Sequence, residues 1–312
     1  MTANHRDDRN QKLGVALVLI AAFAWSTAGL FTRVVTTDIP TTLFWRSLLG
    51  GFCVLAIHLF MQHSLRKTAA SDAPRNEQSW FREMLHFSRG EIVIGVLGTC
   101  GMICFIASFF HTTIANVSFV YGTMPLVTFI LALIALKEKA SWRSFGACAL
   151  CALGVAVMWS GAQKFDDHLG LLLAFAMTFF MASLTIAARY FPAANAVKAT
   201  YFSGFLGALA TLPFSSFVGT LPMDYFWLIL YGVINLGLGF GVYLLGVQRI
   251  AATTAALVGI VEIPIAPAWA WLLFREDPGV HALLGGAIIL LATTVYLAMQ
   301  YFEQNSSTEQ SN

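Results

Sequence analysis

Charge is what this chain has least of. Asp, Glu, Lys and Arg make up 11% of its 312 residues, against about 25% in an ordinary soluble domain, while hydrophobic residues reach 58%. Such a balance excludes a water-soluble globule, which could not hide that much apolar surface. A net charge of +2 with no clustered basic face also leaves a nucleic-acid partner nothing to bind. Cysteine is scarce too. Cys53, Cys100, Cys104, Cys148 and Cys151 all lie in apolar runs, where thiols behave as small hydrophobes. No disulfide framework follows, and the Cys148-x-x-Cys151 spacing lacks the further ligands of a zinc or redox site. The phosphate-binding G-x-x-x-x-G-K-[ST] loop, G-x-S-x-G and H-E-x-x-H are all missing. All eight aspartates lie in tails or connections, so no carboxylate dyad is available. ATP-driven pumping, intramembrane catalysis and metal chemistry therefore have no residues to rest on, and nothing calls for a cofactor.

What is present is a series of long apolar runs, at 13–32, 41–61, 92–110, 113–136, 142–160, 169–188, 196–218, 226–247, 251–274 and 279–302. Each has roughly the 17 to 25 residues a bilayer-spanning helix needs, so the pattern predicts an all-α membrane protein with ten spans. The first run follows Arg6, Arg9 and Lys12 as a secretory signal would, but its length exceeds the usual 7 to 15 apolar residues. It also aligns with 169–188 deep inside the chain, which marks it as a retained helix. Basic residues set the orientation. With the N-terminus inside, 14 of the 18 Lys and Arg fall on the cytoplasmic side, Arg33, Lys164 and Arg275 fall outside, and Arg46 lies within a span. Both termini are therefore expected in the cytoplasm, after an N-terminal tail over 1–12.

The chain writes its membrane passage twice. Gly14, Phe23, Thr27, Arg33, Trp45, Ser47 and Gly51 are answered 156 positions later by Gly170, Phe179, Ser183, Arg189, Tyr201, Ser203 and Gly207. Met124-Pro125 followed by Lys137-Glu138 is answered by Ile263-Pro264 followed by Arg275-Glu276, at an offset of 138 or 139. Repeats over 13–160 and 169–302 each hold five spans, and an odd number forces the second copy to enter the bilayer inverted. Inverted repeats of this kind recur in secondary transporters, which rock about a site near the midplane.

Most connections are short. The exception is 62–90, where the spacing of Trp80, Phe81, Met84 and Leu85 suits either a short interfacial helix or a plain tether. The tail over 303–312 is polar and aperiodic, which predicts an unstructured end. Glycines cluster in two repeat-mated spans, at Gly95, Gly98 and Gly101 and again at Gly232, Gly237, Gly239 and Gly241. Gly237-x-x-x-Gly241 has the spacing of close helix packing, and a cavity wall is the alternative.

The segments WSTAGLFTR, FWRSLLGG, TMPLVTFILALIALKEKASW and EIPIAPAWAWLLFREDPGV, in this order and duplicated, resemble the drug/metabolite transporter superfamily of the type with two tandem EamA domains. The likeness covers Leu13 to Tyr301. It implies a ten-helix bundle in a plasma membrane, here a bacterial inner membrane, with a central cavity that moves small metabolites or drugs, often outward. One departure is Arg46, whose place in the second copy is taken by Phe202.

Glu262 is the one carboxylate deep in a span. Ionisable groups at that depth face cavities or partners, so it is the leading candidate for substrate binding or for proton or ion coupling, with a packing role as the alternative. Pro264 and Pro267 follow it, and Pro125 holds the matching place in the first copy. Proline removes a backbone donor and displaces the carbonyl four residues earlier, which predicts kinks that free the Tyr121, Ile260 and Ile263 oxygens beside protein or water. The remaining cavity candidates are Asn235, Tyr231, Trp25, Ser26, Thr27, Tyr121 and Thr123, the last being the repeat mate of Glu262. Arg46 reads either as a side chain snorkelling to the outer surface or as an anion ligand, and His111 as a solvated turn residue. The expectation is alternating-access transport of a small molecule, with a channel or sensing protein as the alternative.

Overall fold

The computed structural model describes residues 2–68, 84, 86–137, 142–162, 164–250 and 252–309. Among them every regular element is helical. The first span comprises Thr2–Ser26 and Ala28–Val34, the second Ile39–Thr68, the third Arg89–His111, and the fourth Ile114–Tyr121 and Met124–Ala135. The fifth is Trp142–Gly161 and the sixth Phe165–Tyr190, and the seventh joins Ala196–Thr211 to a 3₁₀ turn at Leu212–Phe214. The eighth runs through Pro222–Tyr231, a π-helix at Gly232–Leu238 and Gly239–Val247, the ninth through Ala252–Gly259 and Glu262–Phe274, and the tenth over Val280–Glu309.

Nine of these helical stretches are long and apolar enough to cross a membrane. The seventh has 16 α-helical residues and three in the 3₁₀ turn. It still reaches about 30 Å, the thickness of the hydrocarbon core. Both ends of the chain are more regular than their composition suggests. Helix begins at Thr2 and continues to Glu309, so the expected unstructured C-terminal end is helical that far. Trp80, Phe81 and Leu85, three of the four apolar residues of the 62–90 link, lie outside the described residues. Met84 accepts a hydrogen bond from the Tyr201 hydroxyl at 2.9 Å through its backbone oxygen.

Large side chains such as Phe60, Ile134, Leu209, Leu273 and Phe302 stand exposed around the bundle. In water this would be an aggregating surface; in a bilayer it is the lipid-facing one. The two copies pack as an inverted pair. The third span lies along the sixth and the eighth along the first; the second lies along the seventh, and the fifth along the tenth. Each contact is matched by its repeat mate or is its own mate. Even the backbone repeats: Lys137 and Arg275, at matched helix ends, are the two non-glycine residues with positive φ among the described residues, at 54° and 55°.

The glycine clusters serve close packing. A Cβ at Gly232 would come within 3.0 Å of the Arg46 carbonyl oxygen, and one at Gly50 within 2.7 Å of the Leu236 Cβ, so the second and eighth spans touch backbone to backbone. Gly95 and Gly98 play the same part against Phe202 and Ser203 of the seventh span.

Candidate functional site

Alternation of direction puts the N-terminus, Arg189 and Gln300 at one face of the bundle, the near face, and Arg33, Asp224 and Glu276 at the far face. Between them, three spans lose their regularity at mid-depth. The first breaks at Thr27, the fourth at Gly122-Thr123, and its mate the ninth at Ile260-Val261. The prolines account for the last two. Pro125 sits in the first turn of its half-helix and Pro264 just inside the next, where a missing N–H costs nothing. Of the three carbonyls expected to be freed, Ile260 accepts from the Ile263 amide at 3.0 Å, and in the fourth span it is the neighbouring Gly122 carbonyl, not that of Tyr121, that accepts from the Thr293 hydroxyl at 2.9 Å. Pro267 lies buried inside its half-helix, and Pro264 is exposed. The eighth span solves the same problem with a π-helix, a distortion frequent at functional sites.

These breaks border a cavity of about 960 Å³. It runs from Trp25, Tyr121 and Glu262 at mid-depth, past Thr128, Thr185 and Tyr243, to Arg189 and Gln300 at the near face. Volume and lining suit a small molecule, since such sites combine an apolar wall with a few convergent polar groups. Glu262 makes no hydrogen bond or ion pair with any described residue and turns to this cavity. On the far side of Trp25, Tyr121, Glu262 and Ile263 lies a second, nearly filled space of about 10 Å³, also lined by Ser26, Phe105 and Ser118. The four residues thus stand between the open cavity on the near side and this small space beyond it.

The structure divides the other candidates. Thr27 and Thr123 spend their hydroxyls on their own helices, on the Ala24 and Val120 carbonyls. Ser26 does likewise with Phe23. Asn235 and Tyr231 do not line the cavity; they are buried with Arg46. That placement corrects the snorkelling alternative for Arg46, which is only 4% exposed and donates to Asn235 Oδ1 at 2.6 Å. A neutral partner across the eighth span holds it in place of headgroup water. His111, expected in solvent, pairs with Asp166 at 3.1 Å. Sequence reasoning missed Tyr243, Tyr296, Gln300 and Arg189 on the wall. Tyr296 and Gln300 were findable, being one turn apart and hydrogen-bonded at 2.7 Å.

The far face is tied shut by charge. Arg33 pairs with Glu276 at 2.8 Å and donates to the Phe109 and Thr112 carbonyls. Glu276 accepts in turn from the Ile114 amide at 2.6 Å. Nearby, Asp224 accepts from the amide and hydroxyl of Thr36 at 2.9 and 2.7 Å. Together these contacts bind the ends of the first, third, fourth, eighth and ninth spans.

Known proteins resemble this chain in fold and in sequence. A solved crystal structure superposes with a TM-score of 0.58 at 17% identity, over 92% of this chain and 99% of that one. A pseudopaline exporter of Pseudomonas aeruginosa is 22% identical over 287 residues, covering 90% of this chain and 94% of its own. An S-adenosylmethionine uptake transporter of Rickettsia conorii is 25% identical over 188 residues, covering 60% of this chain and 62% of its own. The model of the EamA-like transporter family matches residues 12–160 and 168–298, nearly the whole described bundle, and the chain therefore belongs to that family.

Proposed function

We propose that this transporter works by alternating access in a plasma membrane, with both termini and the near face in the cytoplasm, and moves a small polar solute through the cavity at Glu262. The carrying observation is the place of Glu262. This carboxylate, unpaired by any described residue, sits with Trp25 and Tyr121 between a cavity that reaches the near face and a nearly filled space beyond it. A static pore would have no such barrier, and the broken fourth and ninth spans give the barrier places to move. The basic bias in the connections supports the orientation, which makes this the inward-facing arrangement.

In the alternate state the ties among Arg33, Glu276, Phe109, Thr112 and Ile114 have to part while the near half closes. Glu262 couples the two if its occupation by a proton or by the solute changes which helices it attracts. Direction is not written in the fold, because relatives are named both as exporter and as uptake transporter. An export role follows the earlier family resemblance. The decisive experiment is a solute panel in proteoliposomes with and without an imposed proton gradient. Saturable flux against a concentration gradient supports the reading, and flux that only ever runs downhill and never saturates would establish a channel instead.

A further inference from the structure

Arg46 is a buried charge within a span, 4% exposed, and no described residue neutralises it. Its Nη2 is engaged by Asn235, and its guanidinium carbon lies 5.0 Å from the centre of the Tyr231 ring. The Nε and Nη1 atoms have no hydrogen-bond partner, nor do the fully buried Tyr231 hydroxyl and the adjacent Trp45 Nε1. No described acid pairs with it: Glu276 pairs with Arg33, Glu91 with Lys198 and Asp166 with His111. Asp224 is bound to Thr36, and Glu262 faces the cavity. A buried cation is costly unless a counter-charge and hydrogen bonds satisfy it. Arginine has no escape by losing its proton.

We propose that Arg46, with the Tyr231 hydroxyl beside it, is a binding subsite for the carboxylate of the transported solute, an inference that rests on the transport reading above. The guanidinium fork matches a carboxylate bidentately, and two of its nitrogens are buried without a hydrogen-bond partner. A carboxylate also balances the single positive charge, whereas a phosphate dianion would leave an excess negative charge in a dry site. The surroundings are built for dryness, since Gly232 and Gly50 bring the second and eighth spans into backbone contact around the arginine. A chain of contacts links the arginine to the cavity wall through one residue. Asn235 holds Arg46 on one side and on the other donates to the Ala24 and Trp25 carbonyls at 3.3 and 3.4 Å, long bonds in the last turn before the break at Thr27. The Trp25 side chain lines the cavity. A shift of that turn exchanges the Asn235 contact for a ligand's and uncovers the arginine. With Phe202 in the matching place of the second copy, the subsite is single and gives the solute one orientation.

The test is thermal unfolding of the purified full chain in detergent with sodium acetate or succinate, against sodium chloride, inorganic phosphate and methyl acetate at matched ionic strength. The carboxylates should raise the midpoint beyond chloride, phosphate and the ester. Arg46→Gln should weaken their apparent affinity about tenfold to hundredfold, and Arg46→Lys should retain part of it. Equal stabilisation by chloride, by phosphate or by the ester overturns the proposal, as does an undiminished carboxylate shift in Arg46→Gln. Should Arg46→Gln not fold, Arg46→Lys decides: weakened affinity supports the subsite and unchanged affinity overturns it. Solute flux in proteoliposomes without any carboxylate shift would remove the subsite and leave the transport reading standing.

Discussion

Removing the charge of Glu276 should open the far half of the bundle. Its carboxylate joins Arg33 at 2.8 Å and the Ile114 amide at 2.6 Å, with side chains 24% and 17% exposed for Arg33 and Glu276. Exposed ion pairs contribute about 0 to 1 kcal/mol, and breaking a buried one costs about 3 to 5 kcal/mol. A pair this half-buried belongs between, at about 1 to 3 kcal/mol, which shifts a two-state equilibrium about 5- to 150-fold. Glu276→Gln keeps the shape and an oxygen for Ile114, so nearly all of this shift comes from the ion pair. Ser118 supplies the reporter, since it is 8% exposed and lines the small space beyond the cavity. With the five native cysteines replaced and Ser118→Cys introduced, a membrane-impermeant thiol reagent applied at the far face should react faster in the Glu276→Gln background by that factor. Arg33→Gln should act in the same direction, and the double variant should fall short of the summed effects because the two residues are one interaction. An unchanged labelling rate in Glu276→Gln would show that the ion pair is not what holds the far half closed. Strict additivity with Arg33→Gln would show the same.

Other consequences are quicker to check. Reporter fusions at Asp166 and Asp224 should report the outer side and fusions at Ala73 and the C-terminus the cytoplasm; an outer C-terminus would refute the inverted five-span repeat. Glu262→Gln should insert and fold but lose the pH dependence of flux, because Glu262 is the one carboxylate among the residues lining the cavity; an unchanged profile would make Glu262 a packing residue. Gly50→Val should lower the unfolding midpoint, at a cost of about 1 to 3 kcal/mol, because its Cβ would fall 2.7 Å from that of Leu236. Thr293→Val removes the donor at 2.9 Å to the Gly122 carbonyl in the break of the fourth span; a loss of about 1 to 3 kcal/mol in chemical unfolding is expected.

The repeat was readable because symmetry imposes the same need twice. Arg33 and Arg189, or Pro125 and Pro264, stand at matched places where a helix must end or bend, and the pairing survives divergence elsewhere. The breaks of the fourth and ninth spans followed from proline chemistry and stand next to the prolines that cause them. The π-helix at Gly232–Leu238 was not readable, because widening a helical turn changes the hydrogen-bond register without requiring any special residue. Partnerships were harder still. Arg46 and Asn235 are 189 positions apart, and an arginine eight residues into a span reads equally well as snorkelling or buried until the neighbouring helix is placed. Similarly, Asn235 and Tyr231 were singled out as cavity candidates because they are polar groups at depth, but depth alone does not say whether a side chain faces a cavity or another helix. What separates the two cases is departure from the repeat. Glu262 stands opposite Thr123 and Arg46 opposite Phe202, and both departures place one charge where symmetry would have placed none. The shared positions build a scaffold that can be inverted; a solute with a head and a tail needs a site that cannot, so the recognition chemistry should reside where the copies disagree.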